Sequence, residues 1–268
     1  LRIINAFFSL APSVLFAFLS KPMLGAIVGI VIGRYLSFFV SVAFTLPLSE
    51  IKNFRFDKRT LHELFRFGGW ISISNIVSPL MVYFDRFILS ATLGANQVAY
   101  YSSPAELITK MNIIPVSMAR AFFPSLSKIN DNQSDQYKKI YKMIFILLLL
   151  FSVGSVLFVF SFSDLIIDVW LGEKYVPLSS YILQIMIVGF FFNSLAQLPV
   201  LQLQSIGVTK AIAIVHMTEL IPFLILLTVA LNYYGIIGAA YVWCLRVIVD
   251  NIALNSIAYI NRKKNNVR

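Results

Sequence analysis

Nine ionisable residues, Arg34, Asp85, Arg86, Glu106, Lys110, Arg120, Glu219, Arg246 and Asp250, fall inside stretches that are otherwise long and apolar enough to cross a membrane. A charge facing acyl chains near the bilayer centre costs roughly 2.5–3.5 kcal/mol, so nine would oppose insertion by on the order of 20–30 kcal/mol. They must face each other or water. A bundle that places so many charges inside suits a pathway for something polar better than an inert anchor.

The rest of the composition agrees with an all-α integral membrane protein. Only 13% of the 268 residues are charged and 59% are hydrophobic, where soluble domains carry about 25% charged residues; the mean hydropathy is +0.81. At about 20 residues per helical span, eight spans are expected, at 3–20, 22–46, 64–90, 97–124, 140–162, 176–203, 208–231 and 235–260. Leu1 is not an initiator methionine, and Arg2 runs at once into a full-width apolar span rather than a short apolar core with a cleavage site. A sequence that begins inside a longer protein is expected. Cys244 is the only cysteine, which excludes a disulfide framework and a cysteine-based metal site.

A net charge of +10 would fit nucleic acid, but its distribution argues otherwise. Placing 47–63, 125–139, 204–207 and 261–268 on one side collects 15 of the 22 basic residues there, counting adjoining span ends, against Lys21 and Lys174 opposite. The positive-inside rule makes the first side cytoplasmic, with the C-terminus on it. The charge is a topology signal, and no nucleic-acid partner is expected.

The connector 47–63 (PLSEIKNFRFDKRTLHE) divides the spans two against six. Residues 64–260 read as a complete six-helix lobe, 1–46 as the last two helices of a preceding lobe, 47–63 as a cytoplasmic linker and 261–268 as a basic cytoplasmic tail. Gly25, Gly29 and Gly33 form small-xxx-small steps that suit close helix packing. Pro12, Pro79, Pro115, Pro199 and Pro222 each remove a helical hydrogen bond within a span.

Helical-wheel placement shows where the polar residues gather. Ser103, Glu106, Lys110, Ser117 and Arg120 share one arc, with Glu106 and Lys110 an i, i+4 pair of opposite sign near mid-span. Trp70, Ser74, Ser78 and Asp85 share a narrow face, with Asn75 beside it and Asp85–Arg86 near the outer end as a gate or ion pair. Asn193, Gln197 and Gln204 line up as neutral groups suited to a hydroxyl-rich ligand. His216 and Glu219, i, i+3 neighbours, are the candidates for ion coupling, and Arg246 with Asp250 reads as an intrahelical i, i+4 pair. Arg34 has no acid on its own helix and reads as a water-facing cation. The cations Arg34, Lys110 and Arg120 could receive a phosphate or pyrophosphate, arginine through its bidentate fork and lysine as a point charge. Neither a G-x-x-x-x-G-K-[ST] loop nor H-E-x-x-H is present; no enzyme activity, cofactor or metal is expected.

The stretches FRFGGWISISNIVSPLMVYFDRFIL (65–89), VAYYSSPAELITKMNIIPVSMARAFFPSLSKI (98–129), VWLGEKY (169–175) and LQSIGVTKAIAIVHMTE (203–219) resemble, in order, the polysaccharide-biosynthesis branch of the multidrug/oligosaccharidyl-lipid/polysaccharide exporter superfamily, specifically O-antigen flippases of the Wzx type. The resemblance implies two six-helix lobes around a V-shaped cavity. It also implies alternating access, and transfer of undecaprenyl-diphosphate-linked oligosaccharide to the outer leaflet of the bacterial inner membrane. Partners implied are membrane lipid, the lipid-linked oligosaccharide and other polysaccharide-assembly proteins. Asp85, Arg86, Glu106 and Lys110 lie inside matching stretches and are carried over as cavity or gate residues. Arg34, Glu106, Lys110, Arg120, Asn193 and Gln197 form the expected substrate cavity. The alternatives are a drug/cation antiporter of the same superfamily, which would favour a mainly acidic cavity, and a non-transporting partner or membrane transferase.

Overall fold

The computed structural model describes residues 7, 11–16, 22–45, 57–129 and 134–265, which are almost wholly helical and contain no strand. Most of the span expected at 3–20, most of the 47–63 connector, and 266–268 lie outside the described residues. The chain divides into two compact units, Leu1–Leu61 and His62–Arg268.

In the first unit, helix α1 runs Pro22–Thr45. Gly25, Gly29 and Gly33 are its buried positions, while Leu24, Ile27, Arg34 and Tyr35 are exposed. A Cβ on Gly29 would run into the carbonyl oxygen of Pro12 and stand 2.5 Å from Ser13 Cα. The small-residue face therefore packs directly on the helical stretch 11–16.

Helix α2, Lys58–Leu93, carries the chain into the second unit. Asp57 caps it, accepting from Arg59 N at 3.0 Å, Thr60 N at 3.2 Å and Thr60 Oγ1 at 2.6 Å. The Thr60 hydroxyl, followed by those amides, holds the Asp57 carboxyl below its usual range. The span expected at 97–124 is two helices, α3 (Ala95–Met111) and α4 (Ile113–Ser127), meeting at Asn112. Pro115 causes the interruption, because it lacks the N–H that would bond the Met111 carbonyl. Pro104 inside α3 similarly frees the Tyr100 carbonyl, and Ser179 of a neighbouring helix donates its hydroxyl there at 3.0 Å.

Ser134 caps α5, Asp135–Leu171, accepting from Tyr137 N. A 3₁₀ turn at Glu173–Tyr175 leads to α6, Val176–Ser205. The final element, α7, runs Thr209–Asn265 and bends at Gly235, whose φ of 59° and ψ of −147° are not helical. Its arms, 209–234 and 236–265, fold back on each other: Arg246 stacks on Phe223 at 5.5 Å and Asp250 meets His216. The spans expected at 208–231 and 235–260 are thus one hairpin. Its second arm runs through part of the segment read as a tail.

Backbone of this sign of φ and ψ is almost confined to glycine, and an L side chain there costs of order 1–3 kcal/mol. Gly235→Ala is expected to lower the stability of the purified protein by that amount in a denaturant titration. A loss below about 0.5 kcal/mol would show that the bend relaxes freely, since that is the ordinary scatter of neutral substitutions.

Helix α6 is central, packing against α3, α4, α5 and α7. Most of its residues are buried or half-buried, and it contributes Ile182, Leu183, Met186, Ile187 and Phe190 to the main core. Helix α2 joins the others through side chains, placing Met81 and Leu89 in that core. The outer surface is as apolar as the interior, with Val169 80% and Phe87 71% exposed, the pattern of a protein solvated by acyl chains rather than water. Among the described residues, Leu24–Val42, Asp135–Leu171, Glu173–Ser205 and Thr209–Arg262 are long and apolar enough to cross a bilayer. Helices α3 and α4 are shorter, at 17 and 15 residues, and α2 carries Asp85 and Arg86.

Candidate functional site

The polar stripes of α2, α4, α6 and both arms of α7 converge on a cavity of about 250 Å³. Helix α4 contributes Arg120; α6 contributes Asn193, Gln197 and Gln204, one face at helical spacing. Ser74 and Asn75 enter from α2, His216 from the first arm of α7, and Arg246 with Asp250 from the second.

The polar groups form a chain across three helical segments. Ser74 Oγ and His216 Nδ1 share a hydrogen bond of 2.7 Å, and His216 Nε2 stands 3.4 Å from Asp250 Oδ1. Asn193 Nδ2 donates to Asn112 Oδ1 at 3.1 Å, and Gln197 Nε2 to the Asn193 carbonyl at 3.2 Å. Arg246 donates through Nη1 to Met81 Sδ at 3.5 Å, while its Nε is buried without a hydrogen-bond partner. Two guanidiniums and one carboxylate leave the cavity wall with a formal surplus of one positive charge when His216 is neutral. Amides and hydroxyls supply the remaining polar surface.

Several expected pairings are replaced by cross-helix ones. Asp250 meets His216 rather than Arg246, because the bend at Gly235 lays the two arms of α7 side by side. His216 lines this cavity, whereas Glu219 lines an apolar groove between the arms that meets the cavity at Arg246, with both carboxylate oxygens buried and unbonded. Asp85 is 1% exposed and accepts from Tyr101 Oη at 2.8 Å. Its sequence neighbour Arg86 instead reaches Glu106 at 3.2 Å, and Glu106 also holds Lys110 at 3.1 Å. This second cluster, between α2 and α3, lies apart from the residues lining the 250 Å³ cavity. Arg34 belongs to the first unit, exposed on α1. Asn112 was not singled out by sequence; the signal that could have found it is its place three residues before Pro115, next to the Met111 carbonyl that the proline leaves without a helical donor.

Solved structures place this fold, a helical unit with a polar cavity inside an apolar exterior, in one class. The chain superposes on a crystal structure of MATE in complex with MaL6 with a TM-score of 0.82 at 13% identity, covering 99% of this chain and 63% of that one. It superposes on the Vibrio cholerae MATE transporter VcmN in the bent form with a TM-score of 0.74 at 18% identity, covering 98% and 61%. The fold is that of the MATE transporters.

The sequence then gives the family. The model of the polysaccharide biosynthesis protein family matches residues 1–180, and the chain belongs to that family. It is 40% identical over 240 residues to the "Putative O-antigen transporter" of Shigella flexneri, covering 90% of this chain and 57% of that protein. It is 24% identical over 141 residues to the "Putative O-antigen export protein" of Yersinia pseudotuberculosis, covering 52% and 32%. The chain thus spans little more than half the length of the first of these relatives.

Proposed function

We propose that the protein flips undecaprenyl-diphosphate-linked oligosaccharide repeat units across the bacterial inner membrane by alternating access, for O-antigen or related polysaccharide assembly. The observation that carries this reading is the cavity itself, where the guanidiniums of Arg120 and Arg246 stand among the amides of Asn193, Gln197 and Gln204. Arginine forks match phosphate oxygens, and amides match sugar hydroxyls, so one wall answers both halves of such a substrate. The names of the relatives and the MATE fold support transport. The basic loops support a cytoplasmic C-terminus. Glu106 and Lys110 would extend the polar path beyond the 250 Å³ cavity, with Asp85 and Arg86 at its gate, and Arg34 would be a substrate-binding cation of the first unit. His216, now partnered by Asp250, and Glu219 would be the groups that couple substrate movement to an ion.

The test is translocation in vesicles containing the whole protein, offered either a short-chain polyprenyl-diphosphate oligosaccharide or a lipophilic cationic dye. Movement of the first and not the second is expected, and the reverse would establish the antiporter reading. In the same assay Lys110→Gln and Arg34→Gln are each expected to slow flipping several-fold, less than a buried cation would, because both side chains are largely exposed. Wild-type rates in both would remove them from the substrate path.

A further inference from the structure

A groove of about 410 Å³ lies between α5, α6 and the second arm of α7 and shares no lining residue with the central cavity. Its apolar wall is Phe145, Leu195 and Leu198; Tyr141 and Lys142 edge it, and Asn251 and Asn255 complete it. Lys142 is seven residues from the start of α5 and Asn255 ten from the end of α7. Both helices overrun the expected spans, so Lys142 stands two residues inside 140–162 and Asn255 five inside the end of 235–260, a depth where a lysine stem rests on apolar surface while its amine reaches the headgroups.

We propose that this groove binds an anionic, hydroxylated phospholipid of the phosphatidylglycerol class. The Lys142 ammonium and the Tyr141 hydroxyl offer donors for one phosphodiester. Arg262 lies within electrostatic reach of that hydroxyl. Lys139 is exposed on the same helix but does not line the groove, and Lys138 is paired with Asp135 at 3.7 Å. The amide hydrogens of Asn255 are engaged, donating to Asn251 O at 2.9 Å and Asn251 Oδ1 at 2.6 Å, and Asn251 donates in turn to the Phe192 carbonyl. What Asn255 has left to offer is an acceptor oxygen, which suits a glycerol hydroxyl. An ethanolamine ammonium would also donate there, but Lys142 and Arg262 repel it. The apolar wall takes the upper acyl chain. Basic pockets between membrane helices are the usual seats of anionic lipids; here the amides add a preference within that class. The inference requires only that the protein sits in a bilayer and is independent of what it transports.

Native mass spectrometry of the whole purified protein, titrated with phosphatidylglycerol, phosphatidylethanolamine or phosphatidylcholine, tests it. Phosphatidylglycerol is expected to bind about fivefold more tightly than phosphatidylcholine, the effect of one lysine at a lipid headgroup. Lys142→Gln should erase the preference, while Lys139→Gln should change it less than twofold. Asn255→Leu should lower binding of phosphatidylglycerol but not of phosphatidic acid, which lacks the glycerol. Equal binding of phosphatidylglycerol and phosphatidylcholine, or equal losses in the two lysine variants, would overturn the proposal; circular dichroism checks that each variant is folded.

Discussion

Arg120→Gln is expected to slow flipping of the lipid-linked oligosaccharide ten- to a hundredfold while leaving the protein folded and inserted. Among the described residues no acid pairs with Arg120, and it is exposed on the cavity wall; its loss therefore strands no buried partner. What is lost is its hydrogen bonds to a charged ligand, worth about 1.5–3 kcal/mol, and 1.4 kcal/mol is a factor of ten. Arg120→Lys keeps the charge without the fork and should recover part of the rate. Arg246 is a poorer probe because it also stacks on Phe223 and donates to Met81, so its removal disturbs packing as well. If vesicles carrying Arg120→Gln flip substrate at the wild-type rate, Arg120 is removed from the proposed diphosphate site.

A large effect on stability is expected at Gly189. A Cβ there would stand 2.5 Å from Trp243 Cζ3, 3.0 Å from its Cε3 and 3.2 Å from Val247 Cγ2. Overpacking a close-packed interior costs typically 1–3 kcal/mol, and a rigid indole pinned between α6 and α7 cannot yield as a flexible chain end would. Gly189→Ala should cost about 3 kcal/mol in a denaturant titration, and Gly189→Val more. The same Gly189→Ala change in a Trp243→Leu background should cost under about 1 kcal/mol, because residues in contact couple. Equal costs in both backgrounds would mean that α6 and α7 do not meet as described.

The sequence made the helical architecture legible because bilayer width imposes one length on every span, and the stripes of α6 and α4 became visible on a wheel for the same reason. Asn193, Gln197, Gln204 and Arg120 share the cavity because each needed only its own helix to be read correctly. Partners on different helices were not legible. Spacing rules pair Arg246 with Asp250 and Asp85 with Arg86, since they see only residues on one helix. The folded chain offers Asp250 a histidine 34 residues away, and Asp85 a tyrosine across the α2–α3 turn. The interruption at Asn112 was half legible: Pro115 announced a break without saying what would occupy it.

Among the described residues, helix α2 is tied to its neighbours by four side-chain hydrogen bonds: Ser74 to His216, Met81 to Arg246, Asp85 to Tyr101 and Arg86 to Glu106. Hydrogen bonds tolerate little misalignment, and sliding α2 by even one residue, about 1.5 Å along its axis, would put all four out of register together. The next position at which the same face of the helix comes round is a full turn, about 5.4 Å, away. Such an element has detents rather than a track: it rests at discrete stops, and passing from one to the next means releasing every catch in the same stroke.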